Sequence, residues 1–348
     1  MKIWTFCIEN RRLFKPSVKL ALAVFCLALV GSCSSPTTPT AAAPPPPPPP
    51  PTAEAPSLSC RSDVSLGTTS ATGRDFHFDA PSVTNGQAPV LVTCNPGSGA
   101  AFPIGSTTVT CTATDALSRT AACTFGVTIS KIPQISRVRF LAFGDSLTEG
   151  EVTVPIRGAG GPGVSSRQVV VPSAAYPTVL ARLLQARYSA QAESIVVANY
   201  GRGGDKTLLA RSRFIDALNV VRPEAVLLLE GANDIARGED GAASGAASEI
   251  RIMAAEARLR GMRVFIATLP PGRPNTSKAI PDILLLDYAN RMRAIAASEG
   301  AVLVDLYQSM QSGVFTYIGV DGLHPNEAGY AKMAQEFFNA IQATLEIR

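Results

Sequence analysis

The chain runs to 348 residues with 6% aromatics and a formal charge of +4, long enough for two domains and tails. Five basic groups (Lys2, Arg11, Arg12, Lys15, Lys19) and one acid (Glu9) fall in the first 33 residues, and the rest of the chain is balanced at 26 basic and 26 acidic residues. A neutral body of this kind argues against nucleic acid, or any strongly acidic partner, as the basis of function.

The first segment has a secretory layout: a charged start, the apolar run Leu20–Val30, then small residues. The run is shorter than the roughly 20 apolar residues that a bilayer span requires. It ends Val30-Gly31-Ser32-Cys33, which resembles a bacterial lipobox. The resemblance implies that residues 1–32 are a lipoprotein-type signal peptide. Cys33 would then be lipidated and hold the protein on a membrane of the cell envelope. If the cysteine is incidental, the protein is simply secreted. Residues 33–56 form a low-complexity linker. Its unbroken run Pro44–Pro51 lacks backbone donors and favours an extended polyproline helix, a spacer rather than a folded part.

From 57 to 131 the chain turns to short runs rich in β-branched residues, such as Val90-Leu91-Val92, Thr107–Thr110 and Thr124–Ile129. Turn signals separate them at Asn85-Gly86, Asn95-Pro96-Gly97 and Asp115 to Ser118. Cys60, Cys94, Cys111 and Cys123 are an even set in a short exported stretch and read as two disulfides. Strands stapled in this way predict a small β-sandwich. The segments Cys94-Asn95-Pro96-Gly97-Ser98-Gly99, Phe102 to Cys111 and Thr114-Asp115 resemble the hyalin-repeat (HYR) family. That resemblance implies an immunoglobulin-like module of extracellular and adhesive proteins, with a cell-surface or polysaccharide ligand. Sequence leaves the disulfide connectivity open; the pairing expected here is Cys60–Cys111 with Cys94–Cys123. His77, in this module, reads as a surface strand residue.

From 137 to 348 apolar runs of strand length alternate with helix-like stretches. The predicted strands are Val138–Phe143, Ile195–Asn199, Ala225–Leu229, Val264–Leu269 and Val302–Leu306. The predicted helices are Ala174–Ala186, Thr207–Val220, Ala246–Arg260, Ile283–Ala297 and Glu327–Leu345. Such alternation predicts right-handed crossovers and a parallel sheet covered on both faces. Working residues in such sheets gather at the carboxyl ends of strands.

The conspicuous residues fall there. Ser146, in Gly144-Asp145-Ser146-Leu147-Thr148-Glu149-Gly150, comes directly after the first strand, where a serine also serves as a helix cap. Asn199 to Asp205 comes after the second strand, and its glycines let amides approach a developing oxyanion. Asn233, after the third strand, offers a side-chain amide. Asp321 and His324 lie one turn apart near the end of the chain, and His324 is the only histidine after the β-module. A carboxylate so placed fixes the imidazole tautomer and stabilises the imidazolium formed when a serine loses its proton. With no cysteine beyond Cys123 and one histidine, a thiolate nucleophile or a zinc site is not expected, and no cofactor is.

These four segments, in this order, resemble the SGNH subgroup of the GDSL hydrolases over residues 137–348. The resemblance implies a flavodoxin-like α/β/α sandwich with a five-stranded parallel sheet. It also implies a Ser146-His324-Asp321 triad, and an oxyanion hole of Ser146, Gly204 and Asn233. The second block departs from the family pattern, with Gly203 where serine is frequent, which leaves Gly201 as a rival amide donor. Thr268-Leu269-Pro270-Pro271 is similar to a segment these enzymes carry after the fourth strand. The reaction implied is hydrolysis of a small or polymer-borne carboxylic ester through an acyl-enzyme. The alternatives are an adhesive protein with an inactive α/β scaffold, or a carbohydrate acetylesterase targeted by the HYR module. The stretch Glu151–Pro172, rich in glycine, reads as a loop forming a substrate wall or lid. Arg157, Arg167 and Arg202 could meet an acidic group there, though solvated charge is the simpler reading.

Overall fold

The computed structural model describes residues 53–156 and 166–347. The expected signal segment 1–32, Cys33, the Pro44–Pro51 run, and Arg157 with Gly158, Gly160, Gly161 and Gly163 lie outside the described residues.

The first module is built on strands β1 (Val64–Thr68), β2 (Leu91–Asn95), β3 (Gly105–Thr114) and β4 (Thr120–Lys131). They lie in the order β1-β4-β3-β2, antiparallel except for β1 against β4. Two short pairs accompany them, Ser57–Ser59 with Ser82–Thr84 and Arg74–Asp75 with Ala101–Phe102. Alternation turns Phe125, Val127 and Ile129 of β4 inward, where they meet Phe78, Phe102 and Val109 in a small core. This is the expected β-sandwich. His77 is exposed just past Asp75 rather than within a strand.

The disulfides differ from expectation: the bonds are Cys60–Cys123 and Cys94–Cys111. The register explains why. Cys94 stands opposite Cys111, and Cys111 opposite Cys123, so the three form one row across β2, β3 and β4. Cys94 and Cys123 are therefore two strand spacings apart, about 9–10 Å. A disulfide needs Cα atoms within roughly 7 Å. Cys94 takes its neighbour on β3, and Cys123 is left for Cys60.

The second part carries a five-stranded sheet of β5 (Arg139–Gly144), β8 (Val196–Gly201), β9 (Ala225–Leu229), β10 (Arg263–Ala267) and β11 (Val302–Val304). Between β5 and β8 the chain adds a hairpin of β6 (Glu151–Pro155) and β7 (Ser166–Val170). The sheet order is β8-β5-β9-β10-β11, and every pairing is parallel. Taken in chain order this is 2-1-3-4-5, the flavodoxin-like arrangement. All five residues of β9 are buried, as an unbroken apolar run in the middle of a covered sheet requires.

The long helices are α2 (Tyr176–Arg187), α3 (Thr207–Val221), α5 (Ala242–Leu259), α6 (Asp282–Ser298) and α9 (Glu327–Leu345), with short α1 (Ser146–Glu149), α4 (Ala232–Ile235), α7 (Leu306–Met310) and α8 (Val314–Tyr317). They form two packed groups, α2 with α9 and α3 with α5 and α6, giving the α/β/α layering. Tyr176 stacks on Phe337 between α2 and α9 at 4.8 Å, and Phe143 meets Phe214 of α3 edge-to-face at 5.0 Å. Gln134–Ile135 pairs with Glu346–Ile347, tying the entry of the α/β part to its exit.

Candidate active site

The Ser146 turn lies directly after β5. Asp145 caps α1: its Oδ1 accepts from the Leu147 amide at 2.9 Å, and its Oδ2 accepts from the Ala232 amide at 3.3 Å. One buried carboxyl thus joins the Ser146 turn to the Asn233 turn. Burial pushes this carboxyl up to about 7 against the pull of the two amides.

Ser146 Oγ lies 2.9 Å from His324 Nε2, and His324 Nδ1 lies 2.6 Å from Asp321 Oδ2. All three residues are buried, His324 to 2% exposure. With Nδ1–H donating to the carboxylate, Nε2 is the free acceptor for the serine proton; the tautomer is assigned from that bond. Burial alone would raise the Asp321 carboxyl. The bond and charge of His324, with the amides of His324 and Leu323 on Oδ1, instead hold it well below the usual carboxylate range. Asn326, two residues on, caps α9 by accepting from the Gly329 amide at 2.9 Å. The cap and the relay are thus compatible uses of one loop.

The Ser146 and Gly204 amides have no acceptor among the described residues. Gly204, at φ +78°, is at a left-handed position that suits glycine, and it lines a cavity of about 380 Å³ with Ser146, Asn233 and His324. Gly201 is the weaker amide donor, because its N–H donates to its neighbour Asn199 Oδ1 at 2.9 Å. Asn233 spends one Nδ2–H on the Asp205 carbonyl at 2.9 Å, and the second has no acceptor among the described residues.

A guanidinium that sequence reasoning missed ties these turns together. Arg213 of α3 donates to the Gly144 and Tyr200 carbonyls at 3.0 and 2.5 Å and to Asp205 Oδ2 at 2.7 Å. The ends of β5 and β8 are thereby fixed to the residue that holds Asn233.

Among its described residues, the stretch read as a loop is mostly the β6–β7 hairpin. Alternating valines (Val152, Val154, Val169, Val171) were the available signal, masked by the glycines between them. Gln168 donates to Asp321 Oδ2 at 3.4 Å, and the buried Tyr330 hydroxyl of α9 donates to the Glu151 carbonyl at 2.6 Å. The Glu151 carboxylate enters the cavity, with Oε2 3.4 Å from His324 Nε2. Arg167 and Arg202 are exposed, and Arg202 pairs loosely with Asp205 at 3.6 Å. The segment after β10 docks on the acid–histidine loop, where the Lys278 and Arg273 amides donate to the Asp321 and Gly322 carbonyls at 2.8 and 2.9 Å.

A parallel α/β/α sheet with a serine, a histidine and unpaired amides converging at its strand ends is the framework of a carboxylic-ester hydrolase. The chain belongs to the GDSL-like lipase/acylhydrolase family, whose model matches residues 142–332. Residues 49–129 match the HYR domain. Among solved structures it is similar to a lipase/acylhydrolase from Enterococcus faecalis, at 21% identity over 60% of this chain and 97% of that one, with a TM-score of 0.49. It is also similar to an acetylxylan esterase from Geobacillus stearothermophilus, at 21% identity over 60% and 95%, with a TM-score of 0.45. No curated protein matches the chain.

Proposed function

We propose that the protein is an exported serine esterase that works through an acyl-enzyme. Ser146 Oγ attacks the ester carbonyl while its proton passes to His324 Nε2, and Asp321 stabilises the imidazolium. The carbonyl oxygen, now an anion, is received by the Ser146 and Gly204 amides and the free N–H of Asn233. Each such donor is worth about 10²–10³ in turnover. Collapse expels the alcohol, which takes the proton from Nε2. Water, activated by the same nitrogen, then releases the acid and frees Ser146.

The observation that carries this reading is the continuous chain from Ser146 Oγ through His324 to Asp321, with contacts of 2.9 and 2.6 Å. Replacing Ser146 with alanine and monitoring p-nitrophenyl acetate hydrolysis tests it: activity should vanish, and retained activity removes Ser146 from the mechanism.

The lipobox-like Val30-Gly31-Ser32-Cys33 supports export with a lipid anchor at Cys33, and the HYR match supports a module that holds the enzyme on a cell-surface or polysaccharide ligand.

A further inference from the structure

Glu151 lies outside the four sequence blocks that identify the family, yet its carboxylate shares the cavity with Ser146, Gly204, Asn233 and His324. We propose that Glu151 determines specificity on the alcohol side: it selects esters of polyols or carbohydrates that carry a free hydroxyl beside the ester oxygen, and rejects alcohols that carry an anion there. The proposal rests on the serine-esterase reading above and names the substrate class for that site.

The backbone of Glu151 is fixed from two directions. The residue opens β6, and its carbonyl is held by Tyr330. Its side chain is 20% exposed, its Oε2 lies 3.4 Å from His324 Nε2, which carries no proton in the assigned tautomer, and its carboxylate meets no donor among the described residues. A carboxylate offers about four acceptor sites, and one that is largely shielded from water is costly to leave unpaired. The departure at position 203 bears on the same residue. A Cβ there would crowd Glu151 Oε1, so a serine at 203 would have to push this carboxylate aside, whereas Gly203 leaves it room. The Gly203 amide donates to Glu149 Oε2 at 2.6 Å, keeping the backbone close.

The chemistry fixes which half of the ester Glu151 faces. His324 Nε2 must hand a proton to the leaving oxygen, which therefore comes within hydrogen-bond reach of that nitrogen. Glu151 Oε2, 3.4 Å from the same nitrogen, borders the alcohol. A hydroxyl on the adjacent carbon can donate to Glu151 while the ester oxygen meets Nε2. A phosphate on that carbon would instead confront a shielded like charge. Lys278 also lines the cavity and offsets Glu151 in formal charge without pairing with it among the described residues, so a neutral, hydrogen-bonding alcohol fits better than a cationic one.

The test compares three acetates with purified wild type, Glu151→Gln, Glu151→Ala and Ser146→Ala: 2-hydroxyethyl acetate, 2-methoxyethyl acetate and 2-acetoxyethyl phosphate. The wild type should prefer the hydroxyl over the methoxy ester by about tenfold or more in kcat/KM. Glu151→Ala should bring that ratio close to unity, and Glu151→Gln should raise the relative rate on the phosphate ester by about tenfold. A wild type with no hydroxyl preference overturns the proposal without recourse to any variant. So do variants that slow all three esters equally, which would make Glu151 only a positioning residue for His324. If Ser146→Ala hydrolyses these esters as fast as wild type, the esterase reading itself falls. If it is inactive while the Glu151 variants keep wild-type ratios, only the role of Glu151 falls.

Discussion

Beneath Ser146 sit acids that a reading of motifs does not reveal. Asp145 is legible as part of Gly-Asp-Ser, but its bond to the Ala232 amide depends on β5 and β9 being neighbours, which no local pattern encodes. Glu230, at 2% exposure, meets no donor with either carboxyl oxygen among the described residues. Burial, with the charges of Asp145 and Asp205 nearby, raises its carboxyl well above the usual range. The consequence for stability has a definite sign. The folded state keeps protons on Glu230 and Asp145 that the unfolded state loses near pH 4, so their contribution to stability falls as pH rises above that value. Asp321 acts oppositely, since its depressed carboxyl lends stability above pH 4 that is lost on acidification. Glu230→Gln should therefore match wild type near pH 4.5 and gain on it as the pH rises from there in thermal melts. A constant offset between the two curves would contradict a protonated Glu230. Ser146, Asn233 and His324 were legible because they sit in compact motifs. Arg213, Tyr330 and Glu151 were not, because a single polar side chain on a helix or hairpin leaves no pattern in the sequence.

Among the elements, the long helices and sheet strands were legible from periodicity and agree with the structure to within a few residues. β9 and α9 have the predicted bounds, Ala225–Leu229 and Glu327–Leu345. These segments carry strong, local signals: an apolar run for a covered strand, a repeating stripe for a helix. The features that escaped sequence reading depend on pairing across the chain. The β6–β7 hairpin has its two valine-alternating halves separated by a glycine-rich stretch, and only their mutual pairing makes either a strand. The disulfides escaped for a related reason, since connectivity is set by the register of β2, β3 and β4, which cysteine spacing does not contain. The Gly204 turn was legible as a glycine cluster, but the choice over Gly201 needed the Asn199 side chain in place.

At the scale of the whole molecule, balanced charge beyond residue 33 and two matched family models describe a modular protein with its chemistry in one part. Deleting residues 57–131 should leave p-nitrophenyl acetate turnover intact and abolish the binding to a polymer or cell surface proposed for the β-module. Retained binding would deny the β-module a targeting role. Growth with a clickable palmitate analogue should label the wild type and spare Cys33→Ser, whereas an unlabelled wild type would rule out the anchor. These modules matter to function only if Ser146 does the chemistry. The decisive measurement is p-nitrophenyl acetate turnover by Ser146→Ala in a sample whose circular dichroism matches wild type. A fall of roughly 10⁴-fold or more is expected, because a triad without its nucleophile keeps little beyond its oxyanion donors. Turnover close to that of the wild type would contradict the account.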